Sequence, residues 1–156
     1  MLQRIQSVYL AVSAVLSLVL FFISFSVVFP ESEPANVTEL SVLSFDSGHG
    51  SIVKPASYPA LLVLNVLTLL LSIYALFKFK NRSQQIKLTR LAVFTSLLLL
   101  GGMFLYTDIV KQKIDKAHIS YMYGIVAPIF QAVFLVLAAS AIKKDDDLVR
   151  SADRLR

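Results

Sequence analysis

The chain has 156 residues, a formal net charge of +5 and a mean hydropathy of +0.71, with 56% hydrophobic and 16% charged residues. Soluble domains carry about 25% charged residues and have no core large enough to hide so much apolar surface at this length, so the composition argues for a bilayer. The absence of cysteine removes disulfides, thiolate chemistry and cysteine metal sites.

The chain opens with Arg4 and enters a first apolar run, 8–29, that holds no charged residue. Its apolar length exceeds the about 7–15 residues of a signal-peptide core, and Ser24-Phe25-Ser26 is a poor cleavage site, so a retained span is expected. The next segment, 30–57, begins with Glu31, Glu33 and Pro34. Over 36–45 apolar and polar residues partly alternate, which predicts a strand. Asp46-Ser47-Gly48-His49-Gly50 is a turn cluster, and 51–53 can return as a second strand, so a small β-hairpin-like cap is expected here. Asn36-Val37-Thr38 has the form of a glycosylation triplet, a pattern common by chance.

A second run, 58–77, ends at Lys78. The following linker holds Lys78, Lys80, Arg82, Lys87 and Arg90 and no acid. The third run, 91–107, is the shortest; it borrows Leu88 and Thr89 or stands nearly upright. In 108–120, Ile109, Val110, Ile114 and Ile119 lie among lysines, which predicts an extension of helix 3 or a short interfacial helix. The fourth run is 121–142. A helix needs about 20 residues, at about 1.5 Å each, to cross a core about 30 Å thick, and all four runs approach this.

In the tail, 143–156, charges alternate in sign. Leu148, Ala152 and Leu155 make one helical stripe, and Asp147–Arg150 and Asp153–Arg156 are i, i+3 pairs. A short helix is expected, either continuing helix 4 or lying on the membrane surface.

Orientation follows from where lysine and arginine gather. The linker, the tail (Lys143, Lys144, Arg150, Arg154, Arg156) and Arg4 hold most of the 15 basic residues, leaving Lys54, Lys111, Lys113 and Lys116 for the opposite side. Linker and both termini are therefore expected in the cytoplasm. The three lysines of 108–120 run against this placement, but a reversed one conflicts with far more.

No run contains Asp, Glu, Lys, Arg or His in its interior, which argues against a pump or a proton-coupled transporter. The buried polar candidates are Asn65, Thr68, Ser96 and Gln131. They either bond helix to helix, at typically about 0.6 kcal/mol each, or line a pocket between helices 2 and 4; the first reading is preferred. Gly101, Gly102 and Gly124 would admit close helix approach, and Pro128 would bend helix 4. The histidines His49 and His118 lie in no metal-ligand pattern. Asp46, Ser47 and His49 lack a nucleophile elbow, and no phosphate-binding or dinucleotide loop is present. No catalytic, cofactor or metal residue is assigned, and no enzyme is expected. The basic linker suits anionic lipid headgroups, at about 1 kcal/mol per base near the surface; nucleic acid is not expected.

Two end motifs are distinctive. The N-terminus reads Met1-Leu2-Gln3-Arg4-Ile5-Gln6-Ser7-Val8-Tyr9-Leu10; the C-terminus reads Lys143-Lys144-Asp145, then Leu148-Val149-Arg150-Ser151-Ala152-Asp153-Arg154-Leu155-Arg156. Together with the four-span layout they resemble domain-of-unknown-function family 4293, small membrane proteins of Bacteroidota. The resemblance implies a bacterial inner-membrane protein with no assigned reaction. It also directs attention to the ends, where Gln3, Arg4, Gln6, Arg150, Asp153 and Arg154 are expected to form a polar cytoplasmic cluster that folds back on the bundle or docks a protein partner.

The expected architecture is thus an all-α, four-helix transmembrane bundle with a small external β-hairpin-like loop and a short cytoplasmic C-terminal helix. The expected role is a non-enzymatic accessory or scaffold subunit. The alternative is a small channel or transporter for an uncharged or lipidic substrate, using Asn65, Thr68 and Gln131. A lipid-acting enzyme at the external face would have only Asp46, His49 and His118.

Overall fold

The computed structural model describes residues 5–30, 38–42, 59–79, 81–113 and 117–154. In chain order these form α1 (Ile5–Leu20), β1 (Ser24–Pro30), β2 (Thr38–Ser41), α2 (Pro59–Phe77), α3 (Arg82–Lys113), β3 (Ala117–Tyr121), a 3₁₀ turn (Tyr123–Ile125) and α4 (Val126–Arg154). Each helix packs on its neighbours in sequence, and α4 closes the ring against α1.

Three helices are long and apolar enough to cross a membrane: Pro59–Phe77, Arg82–Gln112 and Tyr123–Val149. The first apolar run departs from the all-helical expectation. Its helix, α1, has 16 residues, about 24 Å. The run then turns and becomes β1, whose Ser-Phe-Ser-Val-Val-Phe sequence is rich in the aromatic and β-branched residues that suit strands. β1 is the central strand of a three-stranded antiparallel sheet ordered β2-β1-β3. Val28 pairs with Thr38 on one side and Ile119 on the other.

The all-α expectation is corrected accordingly. Among the described residues, β2 comes from 30–57, and it pairs with β1 from the first apolar run, which pairs in turn with β3 at 117–121. In 108–120, the expected extension of helix 3 is found as far as Lys113, and the chain then pairs as a strand. The turn cluster at 46–50 and the return strand at 51–53 lie outside the described residues, as do Asn36 and Val37.

Pro128 sits in the first turn of α4, behind the 3₁₀ turn, and not mid-helix. The first turn has no α-helical partner for its N–H groups in any case, so this proline opens the helix where a bend was expected. The tail is no separate helix; it is the last turns of α4, which runs unbroken for 29 residues, about 44 Å.

Two apolar clusters hold the assembly. At the sheet end, Phe25, Val28, Leu40 and Val42 pack on Leu20, Leu61, Leu99, Met103, Tyr106 and Val110. At the other end, Leu10, Ala75, Ala92, Leu135 and Ala138 meet. That second end carries Lys78, Arg82, Lys87, Arg90, Lys143 and Lys144 and is called the basic end below.

Candidate functional site

The polar side chains gather inside the bundle. Ser13, Ser17, Asn65, Thr68, Ser72, Gln85, Thr89, Ser96, Thr107 and Gln131 are buried to 1% exposure or less, whereas Leu70, Phe94, Leu105 and Val133 are half exposed or nearly so. A globule in water places these residue types the other way round.

The hydroxyls are mostly satisfied within their own helices. Ser13 donates to the Leu10 carbonyl, Ser72 to Thr68, Thr89 to Gln85 and Ser96 to Val93, all at 2.8–2.9 Å. This back-bonding lets a short polar side chain sit in an apolar setting at little cost. Among the described residues, two hydroxyl–hydroxyl contacts cross between elements: Thr68 Oγ1 lies 3.0 Å from Thr95 Oγ1, joining α2 to α3, and Ser26 Oγ lies 3.0 Å from Thr107 Oγ1, joining β1 to α3.

The amides do more. α1 stops well inside the bundle, and the last carbonyls of any helix lack intrahelical donors. Its final turn tightens, with Phe21 and Phe22 donating to the carbonyls of Leu18 and Val19. Asn65 Nδ2, from α2, donates to the Ser17 carbonyl at 3.1 Å. Gln131 Nε2, from α4, donates to the Ser13 carbonyl at 3.3 Å and to Ser17 Oγ. Asn65 and Gln131 therefore both reach the C-terminal half of α1, one from α2 and one from α4. Gln85 repeats the device at the basic end: its Nε2, from α3, donates to the Ala75 carbonyl in the last turn of α2 at 3.0 Å. Among the described residues, Asn65 Oδ1 and Gln85 Oε1 find no hydrogen-bond partner.

The polar candidates of the apolar runs, Asn65, Thr68 and Gln131, are thus all interior to the bundle. Asn65 and Gln131 share α1 as their target, while Thr68 turns to α3. The sequence reading missed Ser13, Ser17 and Gln85. A signal was present for the first two, because Gln6, Leu10, Ser13, Ser17 and Leu20 recur at helical spacing on the buried face of α1.

The end cluster is placed differently. Gln6 is 3% exposed and faces the bundle interior. Arg150, Asp153 and Arg154 lie on the last turns of α4; Gln3 and Arg4 are outside the described residues. What the structure does bring together at this end is Arg82 and Asp145. Arg82 Nη2 is 3.3 Å from Asp145 Oδ2, and Nη1 donates to the Asp145 carbonyl at 3.0 Å, pinning the start of α3 to α4. Asp146 to Arg154 run on past this level. Lys78 Nζ sits 5.4 Å from the centre of the Tyr74 ring. At the sheet end His118 is exposed on β3, while Asp46 and His49 are outside the described residues.

The model of one protein family, described as a domain of unknown function (DUF4293), matches residues 2–155. No curated protein and no solved structure matches the chain.

Proposed function

We propose that this chain, which belongs to domain-of-unknown-function family 4293, is an integral protein of the bacterial inner membrane that serves as a non-enzymatic accessory or scaffold subunit. All four helices cross the bilayer in this reading, α1 with the shortest helical span. Both termini and the basic end are cytoplasmic, and the sheet caps the outer face. Lipid covers the large apolar side chains, and anionic headgroups meet the lysines and arginines of the linker 78–90.

One observation carries the reading. The interior amides of Asn65, Gln85 and Gln131 are spent on binding helix to helix, as polar side chains in membrane bundles are, and the hydroxyls are mostly satisfied within their own helices, so the bundle is built as an anchor. Among the described residues, the end of α4 is a soluble feature left to act: Leu148 is 61% exposed on a charged helix that continues past the start of α3. A protein partner docking there is the proposed activity.

The test is purification in mild detergent, comparing the full chain with a variant lacking 148–156. A stoichiometric partner that is lost with the tail, at unchanged abundance and stability of the chain itself, supports the scaffold reading. Equal copurification from both chains sinks it. The second reading, a channel or transporter for an uncharged or lipidic substrate along Asn65, Thr68 and Gln131, draws on the unpartnered Asn65 Oδ1. Substrate flux into proteoliposomes that falls on Asn65→Leu would favour it.

A further inference from the structure

The exposed face of α4 changes character along its length. Val133, Leu137, Ser140, Lys144 and Asp147 follow one another at i, i+4, i+7, i+11 and i+14, and all are exposed. These spacings put them on one side of the helix. Read from the sheet end, this side presents apolar surface, then a hydroxyl, then ammonium groups, then a carboxylate. Ser140, Lys143, Lys144, Asp147 and Leu148 line a shallow, open surface groove there, all on this one helix.

We propose that this groove binds the headgroup of a zwitterionic aminophospholipid. The phosphate sits against Lys143, Lys144 and the Ser140 hydroxyl, and the primary ammonium against Asp147. An acyl chain runs back along Leu137 and Val133. The order of chemical groups on the helix is the order in the lipid: tail, phosphate, ammonium. Lys144 and Asp147 are three residues apart, about 4.5 Å along the axis, a spacing suited to the two-carbon arm between phosphate and amine.

The carboxylate decides between lipid classes. Two lysines alone favour any phosphate-bearing lipid. Asp147 in the same groove repels a headgroup of net negative charge and supplies an acceptor for an N–H donor, which a fully methylated amine lacks. Arg82 is engaged with the neighbouring Asp145. Leu148, 61% exposed, lies at the outer end of this surface.

The inference rests on the membrane reading, and the experiment separates the two. Membranes are first extracted with carbonate; a chain that leaves the membrane fraction overturns both. The chain retained there is purified and presented with equal amounts of phosphatidylethanolamine, phosphatidylglycerol and phosphatidylcholine, and bound lipid is read by native mass spectrometry. Phosphatidylethanolamine is expected to be retained best. Lys143→Gln and Lys144→Gln each lower its retention about fivefold. Asp147→Asn leaves retention of the phosphate but erases the preference over phosphatidylglycerol. All three side chains are exposed, so unfolding midpoints should not move, which keeps the comparison on binding. Wild-type retention of phosphatidylglycerol or phosphatidylcholine equal to that of phosphatidylethanolamine overturns the inference while leaving the membrane reading intact, and so does an Asp147→Asn variant with an unchanged lipid ratio.

Discussion

Replacing Asn65 by leucine removes the side-chain donor that α2 supplies to the end of α1. The bond lost is the 3.1 Å contact from Asn65 Nδ2 to the Ser17 carbonyl. In membrane bundles such a bond is worth about 0.6 kcal/mol on average and up to about 1.7. A buried acceptor stripped of its donor costs about 1–3 kcal/mol. Leucine also removes Oδ1, which has no partner among the described residues, and this offsets part of the loss. The net expectation is a destabilisation of about 1–2 kcal/mol. For a chain of this size that lowers the unfolding midpoint by about 2–4 °C per kcal/mol, readable by thermal circular dichroism in detergent. Ser17→Ala is the control: it keeps the carbonyl that Asn65 serves and removes only the hydroxyl that Gln131 reaches. Because Asn65 touches Ser17, the two effects are expected to depart from additivity by about 0.5–3 kcal/mol, which a double-mutant cycle measures. If Asn65→Leu unfolds at the wild-type temperature, the amide does not hold the end of α1.

Three further outcomes follow. Gln85→Leu should destabilise by a similar about 1–2 kcal/mol, because it removes the equivalent donor from the Ala75 carbonyl at the end of α2; the same thermal assay reads it. Among the described glycines, Gly124→Ala should be the most damaging substitution, costing about 1–3 kcal/mol or more: an added Cβ would lie 2.5 Å from the Ser24 carbonyl oxygen and 3.0 Å from Phe25 Cα, which are backbone atoms of β1. Gly101→Ala, with nothing within 4 Å, should be neutral or stabilising by up to about 1 kcal/mol, and equal melting of the two variants would contradict this packing. Arg82→Ala should cost no more than about 1 kcal/mol, since both partners of its ion pair with Asp145 are partly exposed; a double-mutant cycle with Asp145→Ala measures the coupling.

The sequence made the helices of the later runs legible, because long uncharged stretches bounded by lysine or arginine have few alternative readings. It also pointed to the family through its two end motifs, and the match over residues 2–155 agrees. The first run was misread for a physical reason. A central strand covered on both sides shows no alternation, and Phe25, Ser26, Val27 and Val28 are all buried, so β1 is indistinguishable by periodicity from the end of a buried helix. Its partners were hidden too, since β3 pairs across about 90 residues of intervening chain, a register no local pattern encodes. Gly124 was assigned to helix approach; the element it admits is instead the backbone of β1. Asn65, Thr68 and Gln131 stood out as polar residues in apolar runs, but their targets did not. The Ser17 carbonyl lies in the last turn of α1, where it lacks an intrahelical donor because α1 stops at Leu20, and no local pattern marks that stop.

The central claim is a membrane-embedded bundle whose basic end and termini share the cytoplasmic face. The chain has no cysteine, so single cysteines can be placed without background at Ser83 and Ser151 of the basic end and at Ser120 of the sheet end, all exposed. Intact spheroplasts are treated with a membrane-impermeant maleimide before and after lysis. The account predicts that Ser120→Cys labels in intact cells and that Ser83→Cys and Ser151→Cys label only after lysis. Labelling of Ser151→Cys or Ser83→Cys in intact cells, with Ser120→Cys protected, would contradict it.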